Sequence, residues 1–214
     1  MWHQWDTKSP RIKNILTGIV GEYDWEKRID LVTFLRPDLS SFILPYTPPF
    51  DGNYAEINAA VNALKKRNLF VRTVPIELNS DITQKVLPFL HEADVLLLMR
   101  DATVLCAKDQ LIKHCNQEGV TIFTGEIESI KSGAASGLCI DERDMGVYPA
   151  HQTIDILAIG KPIADLPIMN IGDNGTRFVI NKQALKSQNI TLNNDHLFLI
   201  ENGIIIRNNK DTES

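Results

Sequence analysis

Residues 93–141 read ADVLLLMRDATVLCAKDQLIKHCNQEGVTIFTGEIESIKSGAASGLCID. The apolar run at 95–99 is followed by Arg100, Asp101, Ala102 and Thr103, then by a helical pattern that Gly119 ends. A second apolar run at 120–123 empties into Thr124, Gly125, Glu126, Ile127 and Glu128. Apolar runs this short, bounded by polar loops, mark strands buried on both faces, as in parallel sheets. Two neighbouring strands thus deliver two polar loops to one sheet edge. In open α/β sheets ligands bind outside the carboxyl ends of the strands, where helix amino termini offer unpaired N–H groups. That places the candidate working surface at Asp101, Ala102 and Thr103 and at Glu126, Ile127 and Glu128. The plainer reading of the same residues is ordinary helix capping.

Working outward, Trp25, Ile29, Val32 and Leu35 recur at helical spacing until Pro37 stops them. Residues 41–44 read as a strand closed by Pro45, Tyr46, Thr47 and two more prolines, and 12–20 as a strand and turn. Ile57, Ala60, Val61 and Leu64 form the stripe of an amphipathic helix within 53–67. A strand at 69–76 follows, and Ser80 or Asp81 is expected to cap a helix that Pro88 kinks or ends. Beyond the quoted stretch, 129–132 predicts a short helical turn and 138–140 a strand. Asp141 or Asp144 is expected to cap a helix with Val147, Ala150, Ile154, Leu157 and Ala158 on its packed face, ended by Gly160 and Pro162. The later chain reads as a strand at 178–180, a helix at 182–187 and a β-hairpin of 197–200 with 203–206 turning at Asn202-Gly203. The alternation predicts a doubly wound, mainly parallel α/β fold. The expected divisions are a lead-in arm at 1–20, an α/β lobe at 21–165, a carboxyl-terminal strand, helix and hairpin at 166–206, and a disordered tail at 207–214.

The chain has 214 residues, a formal net charge of -5 and a pI near 5.5. No basic stripe suits nucleic acid, and no apolar run is long enough to cross a bilayer. The amino terminus shows no apolar segment behind a basic start, so no signal peptide is read there, and no cysteine near it suits lipidation. Three cysteines argue against a disulfide framework; Cys106 and Cys115 are expected on opposite sides of one helix, and all three as small buried residues. The histidines show no ligand spacing, so neither a metal nor a cofactor is expected. Asp101, Glu126 and Glu128 form a carboxylate group of the kind acid/base chemistry uses, but Ser129 has no matched histidine. Gly172-Asp173-Asn174-Gly175 lacks the lysine and context of a phosphate loop. An enzyme is therefore not expected.

Several elements resemble the substrate-binding proteins of ABC transporters, in the group often labelled tryptophan/tyrosine uptake. Thr17-Gly18 is similar to that family's Thr-Gly element, and 43–48 to its strand leading into a Tyr-x-Pro loop. Residues 97–104 resemble its Pro-Thr-Asp-Asn strand and loop, with Asp101 and Thr103 kept and Met99 and Arg100 in place of Pro and Thr. Ser129-Ile130-Lys131-Ser132-Gly133-Ala134 resembles its Ser-Val-x-x-Gly-Ala element, Gly160-Lys161-Pro162 its Gly-Lys-Pro connection, and 178–182 its Val-Ile-Asn-Lys segment. The resemblance implies a periplasmic-binding-protein-like fold of two α/β lobes around a cleft, with this chain carrying the second lobe and remnants of the first. It implies a small amino-acid-like solute as ligand, an ABC transporter permease as partner, and work outside the cytoplasm. Tyr46, Asp101, Ala102, Thr103, Glu126, Ile127 and Glu128 would line the second-lobe half of the cleft. Tyr46 would stack on or hydrogen-bond a ring, and Asp101 or Glu126 would pair with an ammonium group. Substituting Asp101 or Glu126 by alanine is then expected to weaken binding at a stability cost under about 1 kcal/mol. Family members carry a full first lobe before the Thr-Gly element, so a truncated or divergent binding protein is expected. The alternative is a non-transporting interaction or regulatory module, a single lobe acting as a homodimer.

Overall fold

A computed structural model describes residues 15–21, 23–48, 55–140, 142–170, 172, 175–196 and 204–206, with the side chains of 142, 144 and 204–206 outside the description. The strands in chain order are β1 (Ile19–Val20), β2 (Ser41–Tyr46), β3 (Phe70–Pro75), β4 (Val95–Leu98), β5 (Thr121–Thr124), β6 (Ser136–Ile140), β7 (Met169–Asn170), β8 (Thr176–Asn181) and β9 (Ile204–Ile206). The helices are α1 (Trp25–Leu35), α2 (Ala55–Lys66), α3 (Ala102–Leu105), α4 (Lys108–Glu118), α5 (Ile127–Ser132), α6 (Glu142–Leu157) and α7 (Lys182–Ser187). The chain divides into two compact units, Met1–Asp24 with Ile140–Thr176, and Trp25–Cys139 with Arg177–Ser214.

The larger unit is built on a sheet of order β3-β2-β4-β5-β6-β8-β9, parallel at β2/β3, β2/β4, β4/β5, β5/β6 and β8/β9. This is the mainly parallel α/β architecture expected. Every residue of β4 and β5 is buried, as strands covered on both faces require, including Thr121 and Thr124 at the ends of β5. Ile43, Leu96, Leu98 and Ile122 from the sheet meet Val104, Leu111 and Ile112 from α3 and α4 in one core. Gly137 of β6 is fixed by close approach, since a Cβ there would lie 2.0 Å from the Thr124 carbonyl oxygen.

Several local expectations change. Strand β2 runs on through Pro45 and Tyr46, residues expected in a loop. Its register with β4 ends at Ile43↔Leu96, so the N–H that Pro45 lacks is not needed on that side. Asp81 does not cap forward; its Oδ2 accepts from the backbone N–H groups of Glu77 and Leu78 (3.0 and 3.3 Å) and closes the preceding turn. The helix expected after it is a π-turn at Ile82–Val86 and a 3-10 segment at Leu87–Glu92, broken where Pro88 enters. The helix after β4 is likewise two pieces, so Cys106 and Cys115 do not share one. Cys106 ends α3 and is exposed, contrary to expectation, whereas Cys115 and Cys139 are buried and their thiols are pushed up to about 12 by desolvation. Of the expected hairpin, 197–203 lies outside the described residues, and β9 pairs in parallel with β8. Trp2, Trp5, the Asp141 cap and the tail at 207–214 also lie outside them.

In the smaller unit β1 pairs in parallel with β7, and Met169 N–H donates to the Gly18 carbonyl (3.0 Å). Of the strand expected at 12–20, residues 12–14 lie outside the described residues and only Ile19–Val20 is extended into a ladder. Asp144 falls inside α6 and not at its start. The orientation of α6 also overturns its expected packing. Gln152 is buried, its Nε2 donating to the Pro167 carbonyl (2.9 Å), while Val147, Ile154 and Leu157 are 42, 54 and 80% exposed. That amide nitrogen ties the inward side of α6 to the segment before β7.

Candidate functional site

The strand order contains one reversal of direction. From β2 the chain moves outward to β3, then crosses back to β4 on the other side of β2. The loops leaving β2 and β4 therefore part in opposite directions and open a crevice at their carboxyl ends, the usual ligand position in such sheets. Tyr46 ends β2 and is half-buried, and Thr47 follows it. Arg100 and Asp101 follow β4. Asp101 joins the two loops: Thr47 N–H donates to its Oδ2 (2.6 Å) and Thr47 Oγ1 to its Oδ1 (2.7 Å). The same Oδ1 accepts from Val104 N–H (3.1 Å), so Asp101 is also the N-cap of α3. Ala102 and Thr103 lie in the first turn of that helix, not in a loop, with Ala102 exposed and Thr103 half-buried.

One strand further along, Glu126 is the N-cap of α5, its Oε2 accepting from Ser129 N–H (2.8 Å) and from the Ser129 hydroxyl. Ile127 and Glu128 open that helix. Glu128 is exposed and paired with Lys131 (2.7 Å). Asp101 is thus bonded across the switch point to Thr47, the residue after Tyr46, and Glu126 stands one strand away. Both acids expected to be free for a ligand are already engaged as caps, as the plainer reading has it.

Two charged residues that the sequence reading passed over complete the site. Glu56 lies in the first turn of α2, the helix that follows β2. It is surface-accessible, yet desolvation raises its carboxyl above the ordinary value, against the opposing charges of Arg28 and Arg100 and reinforced by Asp101. Arg28 sits fully buried in α1, with Nη2 donating to the Leu138 carbonyl of β6 and its guanidinium 5.5 Å from the Trp25 ring centroid. Arg28, Arg100 and Glu126 all act electrostatically on the buried Cys139 thiol at the end of β6. The carboxyl edge therefore holds fixed positive and negative charge side by side, beside an aromatic ring. Glu56 was legible by the same placement rule that selected Asp101, and Arg28 by falling three residues after Trp25 inside the apolar stripe. Among the described residues no group of histidine, cysteine and acidic side chains is arranged to hold a metal ion.

The family model described as "ABC transporter substrate binding protein" matches residues 4–201. No curated protein matches the sequence. Among solved structures, the chain is similar to a conserved domain protein from Vibrio cholerae (21% identity, TM-score 0.76, covering 89% of this chain and 62% of that one). It is also similar to the ABC domain in complex with L-Trp from Streptococcus pneumonia (18%, 0.73, 89% and 64%). A third is a ligand-free, open substrate-binding protein with adhesive properties from Clostridium difficile (17%, 0.72, 90% and 62%). These likenesses show the fold, and the chain spans less than two thirds of each of those chains. The matching family is one of binding proteins and not of catalysts, and its model takes in nearly the whole sequence: the chain belongs to the ABC transporter substrate binding protein family.

Proposed function

We propose that this chain is the solute-binding component of an ABC transporter, that it takes a small amino-acid-like solute at the crevice between β2 and β4, and that it delivers it to a membrane permease. The observation that carries the reading is the family match over residues 4–201. The site supports the ligand class. An α-amino acid carries one cation and one anion a few ångströms apart, and the edge offers Glu56 beside Arg28 and Arg100. Charge-assisted bonds of this kind are the strong ones in a partly desolvated crevice. Arg100 is the exposed arginine and meets the carboxylate; the buried Arg28 sets the local field. Glu56 meets the ammonium group, because the oxygens of Asp101 and Glu126 already serve Thr47, Val104 and Ser129. Those two acids then shape the rim, with Thr103 and Ala102 on one side and Ile127 on the other, and Tyr46 supplies a ring to stack on the side chain.

Thermal unfolding of the purified chain with a panel of amino acids, aromatic ones included, tests this. A ligand that binds only the folded state raises Tm. A rise with one solute, lost in Glu56→Gln while the unliganded Tm is kept, is the expected result. No rise with any solute overturns the proposal.

A further inference from the structure

The ladder between β2 and β4 stops short of the crevice. Its paired residues are Phe42↔Val95 and Ile43↔Leu96, whereas β2 stays in register with β3 as far as Tyr46↔Pro75. The backbone ladder therefore does not set how far apart the carboxyl ends of β2 and β4 stand. Four residues after Ile43 and five after Leu96 the two segments are tied again, by side-chain chemistry. Thr47 N–H donates to Asp101 Oδ2 (2.6 Å) and Thr47 Oγ1 to Asp101 Oδ1 (2.7 Å). A carboxylate gripped at both oxygens by one residue is fixed in direction as well as in distance, and charge-assisted bonds are the strong kind. Val104 N–H holds the same carboxylate on the α3 side (3.1 Å). The β-branched Thr47 side chain has few rotamers, so its hydroxyl arrives already aimed.

We infer that Thr47 and Asp101 form a strap that sets the width of the crevice, and that both are positioning residues for a solute they do not touch. The inference rests on the solute-binding reading and adds what governs selectivity there. The chain neighbours of the strap are residues which that reading puts against the solute: Tyr46 precedes Thr47, and Arg100 precedes Asp101. The charges of Arg100 and Asp101 both act on the Glu56 carboxyl at the start of α2. A solute held at its ammonium end by Glu56 and stacked on Tyr46 uses only groups that follow from β2. Its carboxylate must reach over to Arg100, which follows β4. A grip at two points depends on their spacing, and a spacing fixed in advance lowers the cost of binding. The strap thus favours solutes that carry both charges over those that carry the ammonium alone.

Titration calorimetry well below Tm tests this on the full chain. The probes are the amino acid that raises Tm and its decarboxylated amine, tyramine for tyrosine and tryptamine for tryptophan. Thr47→Val keeps the branched shape and the backbone bond but removes the hydroxyl. It is expected to weaken the amino acid about tenfold, the scale of one hydrogen bond to a charged group, and to leave the amine unchanged. Thr47→Ser, which keeps the hydroxyl, is expected to retain the parent's preference. Asp101→Asn puts a donor opposite one of the Thr47 donors and is expected to act as Thr47→Val does, which keeps the test open if either variant folds poorly. A parent that binds no amino acid overturns the transport reading and this inference with it. Four results overturn the inference alone: a binding parent with no preference over the amine, equal losses for both probes, no loss for either, or tighter binding of the amino acid by Thr47→Val. The last would make Thr47 a competitor of the solute for Asp101.

Discussion

The two edges of the large sheet use the same residue types for opposite ends. At the amino edge, Asp94 accepts from the N–H and hydroxyl groups of both Ser40 and Ser41 at 2.8–3.1 Å. Arg36 donates to the Asp94 carbonyl and to Thr121 Oγ1, each at 3.1 Å. The fully buried Gln188 accepts from Ile122 and Ala135 N–H (2.7 and 3.1 Å) and donates to Asn116 Oδ1 and the Gly133 carbonyl (both 2.8 Å). Both oxygen and nitrogen of that amide are saturated. At the carboxyl edge, Asp101 and Glu126 hold helix starts, but Glu56 makes no hydrogen bond or ion pair among the described residues. On the proposed reading, what separates a structural polar group from a binding one is whether the chain has already satisfied it.

The sharpest way to break this contrast is Gln188→Leu. It strands two buried N–H donors and a carbonyl, for an expected loss on the order of 3 kcal/mol or more, read as the urea midpoint. Solute affinity of the remaining folded protein should not change. A variant that loses affinity instead would erase the distinction between the edges. Asp101→Ala comes next, at about 1–2 kcal/mol for a lost cap. That exceeds what the sequence suggested, because Thr47 as well as Val104 depends on this carboxylate.

Acid titration sharpens the comparison further, since the two edges carry shifts of opposite sign. Burial works to raise the Asp94 carboxyl, but the bonds from Ser40 and Ser41 outweigh it and hold it below the usual range. Its stabilisation is therefore present above the unfolded carboxyl value, near pH 4, and is lost as pH falls through the lower folded value. Asp94→Asn should flatten the stability curve in that acid range. Desolvation first, then Asp101, raises Glu56. Its stabilisation is complete below the unfolded value and lost as pH rises through the folded one. The smallest expected effect follows: Glu56→Gln leaves Tm at neutral pH unchanged or slightly higher while solute binding falls. A clear drop in Tm would show Glu56 to be structural.

The sequence by itself determined the class of fold and marked the edge proposed for a ligand. The run 95–98 is apolar on every residue, and 121–124 places Ile122 and Phe123 between two threonines; a strand covered on both faces satisfies them. The acids at 101 and 126 were legible as loop residues at the carboxyl edge, because helix starts attract them. Spacing along a chain does not reveal which of them the fold has already engaged. Thr47 reaches Asp101 across 54 positions, and Gln188 reaches Ile122 across 66. Nor did periodicity decide which face of α6 turns inward, since an apolar stripe predicts that something covers it without saying what; in the fold it is Gln152 that is buried and bonded to Pro167. Hydrogen-bond saturation and helix rotation depend on groups distant in sequence that only folding brings within 3 Å, so tertiary structure alone decided them.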